Sequence, residues 1–168
     1  LNWLGWVLML KGDIAQAVIP AEHAKELDPM APYIRTYMSE IYLADGRFEE
    51  ALSEARIARK MQPEFALTHF MEGMALFHLE RFFEASLALG ESVQLTQTGS
   101  VPTTSEAKAI QGLVHLCTGK IELAREILLA LKEDTDQFSI ALMEATLGNH
   151  EAAINEIEMI EQWSHFNT

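Results

Sequence analysis

The sequence has little cysteine and little positive charge. Its 168 residues include one cysteine, Cys117, which excludes an internal disulfide, and the apolar residues around it predict a buried side chain. Lys and Arg number 12 against 25 Asp and Glu, for a net charge of −13. Phosphate-backbone binding needs a basic face, and no Lys/Arg run is longer than Arg59-Lys60. We therefore expect no direct contact with nucleic acid.

Long apolar runs are also missing. The opening segment, residues 1–10, is apolar, but a membrane-spanning helix needs about 20 such residues. The segment also lacks the basic start and the small-residue cleavage site of a signal peptide. We expect no membrane contact, and the single cysteine favours a cytoplasmic location.

Motifs that carry chemistry are absent as well. The sequence contains no GxGxxG, GxxxxGK or GxSxG segment, and its six histidines form no HExxH pair. His115 lies two residues from Cys117, a spacing that points side chains apart on a helix. The sequence thus predicts no catalysis, no metal and no cofactor.

What the sequence does contain is a repeat. Alanines recur at gaps of 34, 34, 39 and 29 residues, and the last two gaps sum to twice 34; they are Ala17, Ala51, Ala85, Ala124 and Ala153. A period near 34 is typical of a helical repeat array. Leu, Ala and Glu dominate and strand-like alternation is absent, so the fold class is predicted as all-α.

Two further positions recur with the alanine. Five residues before it lies a turn position, where glycine adopts a left-handed conformation at no steric cost: Gly12, Gly46, Glu80, Gly119 and Gly148. Twelve residues before it lies a small residue, which lets two antiparallel helices approach closely: Gly5, Ser39, Gly73, Gly112 and Ala141. Pro29 and Pro63 end the first two units.

This pattern resembles the tetratricopeptide repeat. The resemblance implies a right-handed superhelical solenoid of about five helix–turn–helix repeats, near residues 1–31, 32–65, 66–99, 105–133 and 134–163, with a loop at 96–104. Repeats four and five are the most divergent. Pro20 departs from the pattern inside the second helix of repeat one, where we expect a local bend on the outer face.

The resemblance also implies a function, protein–protein interaction. In this family the first helices line a concave groove that holds a peptide or a helix. The candidate groove residues are Trp6, Met9, Tyr33, Glu40, Leu43, Phe70, Met74, Phe77, His78 and Leu113. They are largely apolar and lack the Lys, Asn and Arg set with which some members bind chaperone tails, so we expect a partner with an apolar segment. The alternative is that these side chains are core.

The first helix suggests a second surface. Apolar groups point nearly all round residues 1–10, which is typical of a buried helix. The chain begins inside a repeat, and we interpret it as excised from a longer protein. A symmetric homodimer through this helix is predicted, with Leu1, Trp3, Val7 and Leu8 as candidates; alternatively, Trp3 and Trp6 fold back onto repeat two.

A regulatory role is the alternative function. The segments 4–6, 26–29 and 141–153 look like repeat arrays at the C-terminal end of bacterial multidomain regulators. There, such an array senses a partner or drives dimerisation.

Overall fold

The structure is a computed structural model that describes residues 2–97, 104–134 and 136–166. Within these residues there are ten α-helices and no strand. They are α1 (Asn2–Leu10), α2 (Ile14–Leu27), α3 (Pro32–Ala44), α4 (Phe48–Met61), α5 (Ala66–His78), α6 (Phe82–Gln97), α7 (Thr104–Cys117), α8 (Ile121–Asp134), α9 (Gln137–Thr146) and α10 (His150–Phe166). The predicted all-α class is confirmed, and no helix of the described part is long and apolar enough to cross a bilayer.

The helices form two compact units. Unit 1 is Leu1–Val101, with α1–α6, and unit 2 is Pro102–Thr168, with α7–α10. Within each unit the helices pack as successive antiparallel pairs, one pair for each predicted repeat. Of the expected 96–104 loop, residues 96 and 97 belong to α6 and residue 104 begins α7; residues 98–103 lie outside the described residues.

The turn inside each pair has the predicted left-handed residue. The φ angle is +80° at Gly12, +74° at Gly46, +75° at Gly119 and +87° at Gly148. Glu80 takes the same conformation at +58°, although it carries a side chain. Each of these residues ends the first helix of its pair and turns the chain into the second.

The recurrent small residues lie where the two helices of a pair come together. The five repeat alanines are all buried. A Cβ added at Gly5 would lie 2.9 Å from the backbone oxygen of Ala17, which leaves no room for a side chain. At the matching place in repeat two, the hydroxyl of Ser39 donates to the oxygen of Ala51 at 2.9 Å. The alanine spacing therefore marks real helix contacts.

Successive pairs are linked by buried carboxylates. A basic residue eight positions after the repeat alanine pairs in three repeats with a carboxylate of the next: Lys25–Glu54 at 2.9 Å, Arg59–Glu72 at 3.1 Å and Lys132–Glu144 at 2.6 Å. All three carboxylates are buried. Buried carboxylates need such partners because an unpaired charge is strongly disfavoured away from water.

Two predictions about single residues were wrong. Cys117 is exposed, because it is the last residue of α7 and borders the solvent-facing turn at Thr118–Gly119. Pro20 lies inside α2 and is buried together with Ala21 and Ala24, so its expected position on the outer face was wrong. Its compact ring fits among the alanines where helices approach closely.

Candidate protein-binding surface

The first helices of unit 1 form a surface with few charges. Helices α1, α3 and α5 are neighbours, and the outward surface that they share is called here the first-helix face. Arg35, Glu40 and Glu72 are the charged residues of these helices, histidine aside. Arg35 is held by Glu54 at 2.7 Å, and Glu72 is buried against Arg56 and Arg59. Glu40 is partly exposed, so the accessible part of the face is mainly apolar but includes one carboxylate.

The predicted groove residues are distributed over this face with different exposure. Tyr33 and His78 are exposed, and Phe70 is buried. The remaining candidates in unit 1 are partly buried: Trp6, Met9, Glu40, Leu43, Met74 and Phe77. Six of the nine thus combine packing contacts with accessible surface, which is what an adaptable binding surface needs.

An aromatic group occupies the α1 end of the face. The rings of Trp3 and Trp6 meet edge to face, with centroids 5.7 Å apart. Trp3 also lies 6.4 Å from the ring of Tyr37 in α3, so part of α1 does contact repeat two. Trp3 nevertheless remains 69% exposed, and a partner can still reach it.

A second aromatic group lies at the α5 end. His78 stacks on Phe48 with the centroids 4.5 Å apart and the rings within 4° of parallel. Phe77 contacts the rings of His78 and Phe82. The sequence analysis missed Tyr37, Phe48 and Phe82, although Tyr37 repeats Trp3 and Phe82 repeats Phe48 at a distance of 34 residues.

The remaining groove candidate, Leu113, lies in unit 2. It is partly buried and packs against a core cluster that includes Leu128, Leu131, Ile140 and Met143. Unit 2 also has an open cavity of about 310 Å³ lined partly by Arg125, Leu129 and Lys132 (Glu144 is part of the same lining). Because Lys132 and Arg125 are already paired with carboxylates, this cavity offers no unpaired cation to a ligand.

The predicted self-association residues lie on α1. Trp3 and Val7 are exposed and Leu8 is partly buried, while Leu1 lies outside the described residues. Leu4 and Leu10 are also exposed. In the described part of the chain, no three His, Cys, Asp or Glu side chains are grouped so as to hold a metal ion.

Comparison with known proteins supports the repeat type. The family model of the tetratricopeptide repeat matches residues 38–102. A TPR repeat-containing thioredoxin, TTL4 of Arabidopsis thaliana, is 29% identical over 121 residues, which are 68% of this chain and 16% of that protein. The chain thus spans about a sixth of this relative's length.

Solved structures share the fold. The thermophilic TPR protein TTC0263 of Thermus thermophilus has a TM-score of 0.77 at 18% identity, over 91% of this chain and 84% of that one. Pseudomonas aeruginosa pilF has a TM-score of 0.75 at 22% identity, over 96% and 73%. The first TPR of Spaghetti (RPAP3), bound to the HSP90 peptide SRMEEVD, has a TM-score of 0.62 at 18% identity, over 70% and 90%. The described chain therefore has the helical-repeat fold of tetratricopeptide proteins, and the match supports a repeat scaffold for protein–protein interaction in general terms.

Proposed function

We propose that the chain is a non-catalytic scaffold whose first-helix face in unit 1 binds an apolar, uncharged segment of a partner protein. The observation that carries the proposal is that α1, α3 and α5 have many accessible apolar side chains and few charged ones. Met and aromatic side chains adapt to apolar helices and to extended apolar segments. Trp6, Met9, Tyr33, Met74 and Phe77 are the contacts we expect.

The charge pattern argues against an acidic peptide as the partner. The neighbour Spaghetti (RPAP3) holds SRMEEVD, a peptide with three acidic residues. Here, the one Arg of α1, α3 and α5 donates to Glu54 through Nη1 at 2.7 Å, so binding a carboxylate there would require breaking an existing ion pair. The net charge of −13 adds repulsion at long range.

A peptide selection tests the binding proposal. Random peptides displayed on phage are selected on the immobilised 168-residue chain, and the winners are synthesised. We expect apolar winners with little negative charge. Met74→Glu and Phe77→Glu should weaken their binding at least about tenfold, because each places a charge against the apolar contact.

Phe83→Glu is the matched control, since Phe83 is 78% exposed on α6 and is not part of the first-helix face. It introduces the same charge and should change the affinity less than about twofold. Circular dichroism checks that helicity is kept in all three variants. Acidic winners, or winners that bind the Met74→Glu and Phe77→Glu variants normally, would overturn the proposal.

Self-association through α1 is a second candidate, favoured by the exposed side chains of Trp3, Leu4, Val7 and Leu10. It is the property that a dimerisation module of a bacterial multidomain regulator would use, and that finer role remains a proposal. Sedimentation of the chain over a range of concentrations tests it. A mass that rises with concentration supports self-association, and a monomer at every concentration contradicts it.

A further inference from the structure

In unit 1, an aromatic ring occupies the junction between repeats one and two. Tyr42 of α3, nine residues before the repeat alanine Ala51, is buried. Its hydroxyl donates to Oε1 of Glu22 in α2 at 3.3 Å, and the guanidinium of Arg47 covers the ring 4.2 Å from the ring centroid. A ring, an acceptor and a cation thus fill the space between the second helix of one repeat and the first helix of the next.

Unit 2 has a cavity at the matching junction. The cavity has a volume of about 310 Å³ and is lined by residues of α8 and α9 and by Asn149, which precedes α10. Counted from the repeat alanines, Glu144 is the counterpart of Tyr42, and Asn149 is the counterpart of Arg47. Both replacements are smaller, so the space that the ring and the guanidinium fill in unit 1 remains open in unit 2.

The second helix contributes a different side chain in each unit as well. Five residues after the repeat alanine, α2 has Glu22, which accepts from the tyrosine hydroxyl. At the same position α4 has Arg56, which donates to Glu72 at 3.0 Å and to Glu84 at 3.1 Å. Unit 2 has Leu129 at this position, where it lines the cavity and is 66% exposed. Polar contacts made at this position across the junctions of unit 1 are thus replaced by apolar surface in unit 2.

The lining of the cavity suits a neutral aromatic ring. Leu128, Leu129 and Leu147 offer apolar contacts, and Arg125 and Lys132 lie one turn before and one turn after the two leucines of α8. Cations are attracted to the faces of aromatic rings. Because both cations are paired with carboxylates, an anionic ligand would compete with an existing ion pair, whereas a neutral ring would not. The volume lies at the lower end of the range of small-molecule sites.

Glu144 adds an acceptor for a hydroxyl group. Its Oε1 binds Nζ of Lys132 at 2.6 Å, and its Oε2 accepts from Nδ2 of Asn149 at 2.6 Å. A carboxylate oxygen has two lone pairs, so each oxygen can accept one further hydrogen bond. The carboxylate therefore supplies, from the first helix, the acceptor that Glu22 supplies from the second helix in unit 1.

We propose that this cavity binds a phenol ring, either of a free phenolic molecule or of a tyrosine in a bound peptide segment. The ring takes the place that the Tyr42 ring takes in unit 1, packs on the leucines and donates its hydroxyl to Glu144. All residues of this site belong to unit 2. It is therefore separate from the first-helix face, and either proposal can fail without the other.

A titration followed by amide NMR shifts tests the site. p-Cresol, which is the side chain of tyrosine, is added to the isotope-labelled 168-residue chain. We expect saturable shifts in residues 125–132 and 144–149, with a Kd of about 1 mM. The uncharged peptide acetyl-Gly-Tyr-Gly-amide is titrated in parallel. Binding at least as tight as that of p-cresol indicates a tyrosine of a partner segment, and weaker binding indicates a free phenolic molecule.

A variant of the lining ties the shifts to the cavity. Leu129→Ala should weaken p-cresol binding at least about fivefold, because it removes apolar contact with the ring. Leu123→Ala is the matched control, since Leu123 is 42% exposed on the same helix and is not part of the lining. It should change the affinity less than about twofold. Circular dichroism checks that both variants stay helical.

The saturated analogue, methylcyclohexanol, tests the need for an aromatic ring. It has nearly the same size and the same hydroxyl, and it should bind at least about threefold more weakly because it has no ring face for the cations. Equal binding of the two compounds would overturn the preference for a phenol. No saturable shift at about ten times the expected Kd, shifts mainly in other residues, or normal binding by Leu129→Ala would overturn the site itself.

Discussion

Units 1 and 2 use the same repeat skeleton but fill one core position differently. Three residues after the small residue of each first helix, unit 1 has Leu8, Tyr42 and Leu76, whereas unit 2 has His115 and Glu144. Tyr42, Leu76 and Glu144 are buried. A buried apolar side chain needs only packing, but a titratable one needs partners. At this position Glu144 of unit 2 depends on an ion pair and a hydrogen bond. In unit 1, Leu8 and Leu76 are apolar, and Tyr42 needs one polar partner, since its hydroxyl donates to Glu22 Oε1 at 3.3 Å.

The units also differ in how their buried carboxylates are neutralised. In unit 1, Glu54 binds both Lys25 and Arg35, at 2.9 and 2.7 Å. In unit 2, Lys132 is the cation found on Glu144 among the described residues, with Asn149 donating at 2.6 Å. Burial alone would raise the pKa of Glu144, but the hydrogen bonds from Lys132 and Asn149 outweigh it and hold the pKa below its usual value. Glu54 in unit 1 thus has a second cation, whereas Glu144 has one cation among the described residues of unit 2.

The largest difference between the units should follow from removing one cation. Lys132→Met leaves Glu144, which is 3% exposed, without its charge partner. We expect the free energy of unfolding of unit 2 to fall by about 2–3 kcal/mol. This loss is smaller than for a fully buried ion pair, because Lys132 itself is half-exposed. Lys25→Met should cost unit 1 less than about 1 kcal/mol, since Arg35 stays on Glu54.

Amide hydrogen exchange, followed separately in peptides from each unit, measures both losses. Lys132→Arg is the conservative control and should keep most of the stability. Equal losses for Lys132→Met and Lys25→Met would contradict the argument from the second cation.

The two glycine sites should respond differently to a methyl group. In unit 1, a Cβ at Gly5 would meet a backbone oxygen at 2.9 Å, which cannot move away. In unit 2, a Cβ at Gly112 would meet the flexible end of Met143, which can turn aside. Replacing a helical glycine by alanine gains about 1 kcal/mol of helix propensity in either case.

Gly5→Ala should therefore destabilise unit 1 by about 1–2 kcal/mol, while Gly112→Ala should change unit 2 by less than about 1 kcal/mol. Hydrogen exchange in the two units gives both values. A larger loss for Gly112→Ala than for Gly5→Ala would show that the end of Met143 is held as firmly as backbone.

Acid should weaken unit 2 through His115. Its Nδ1 is buried and has no hydrogen-bond partner in the described part, and burial, then the charge of Lys120, lowers its pKa. As the pH falls below about 6.5, the ordinary histidine pKa, the unfolded state takes up the proton before the folded state does. The stability contributed by neutral His115 is thus present above that pH and is lost as the pH falls towards the lowered folded pKa.

His115→Leu restores the residue type found at Leu8 and Leu76 and removes this titration. We expect unit 2 to gain about 1 kcal/mol at about pH 7, and to lose less stability between about pH 7 and pH 5 than the unmodified unit. Unfolding by urea at both pH values, monitored by hydrogen exchange, measures the gain. His23→Leu, at an exposed position of α2, is the control. An unchanged pH dependence in His115→Leu would rule out His115 as the acid-sensitive group.

The sequence predicts the fold and only part of the surface, for physical reasons. Alanine and glycine recur because the helices must touch there, so the period follows directly from packing, as at Ala17 and Gly5. The exposure of a groove candidate depends instead on its neighbours' size and direction. Phe70 is buried while Met74, one turn later, is partly exposed, and no spacing distinguishes them. Cys117 shows the same limit, because its exposure depends on the residue at which α7 ends.

The smallest expected effect concerns the turn that differs between the units. Glu80 in unit 1 has φ +58°, while Gly119 occupies the matching turn of unit 2 at +75°. A side chain in the left-handed region costs about 1 kcal/mol, which glycine avoids. Glu80→Gly should therefore stabilise unit 1 by about 0.5–1 kcal/mol, and Gly119→Glu should destabilise unit 2 by a similar amount. A Cβ built at Gly119 would have no neighbouring atom within 4 Å. The effect of Gly119→Glu on stability therefore measures the cost of the left-handed backbone conformation alone. If both substitutions shift the urea midpoint in the same direction, the backbone conformation is not what distinguishes these two turns.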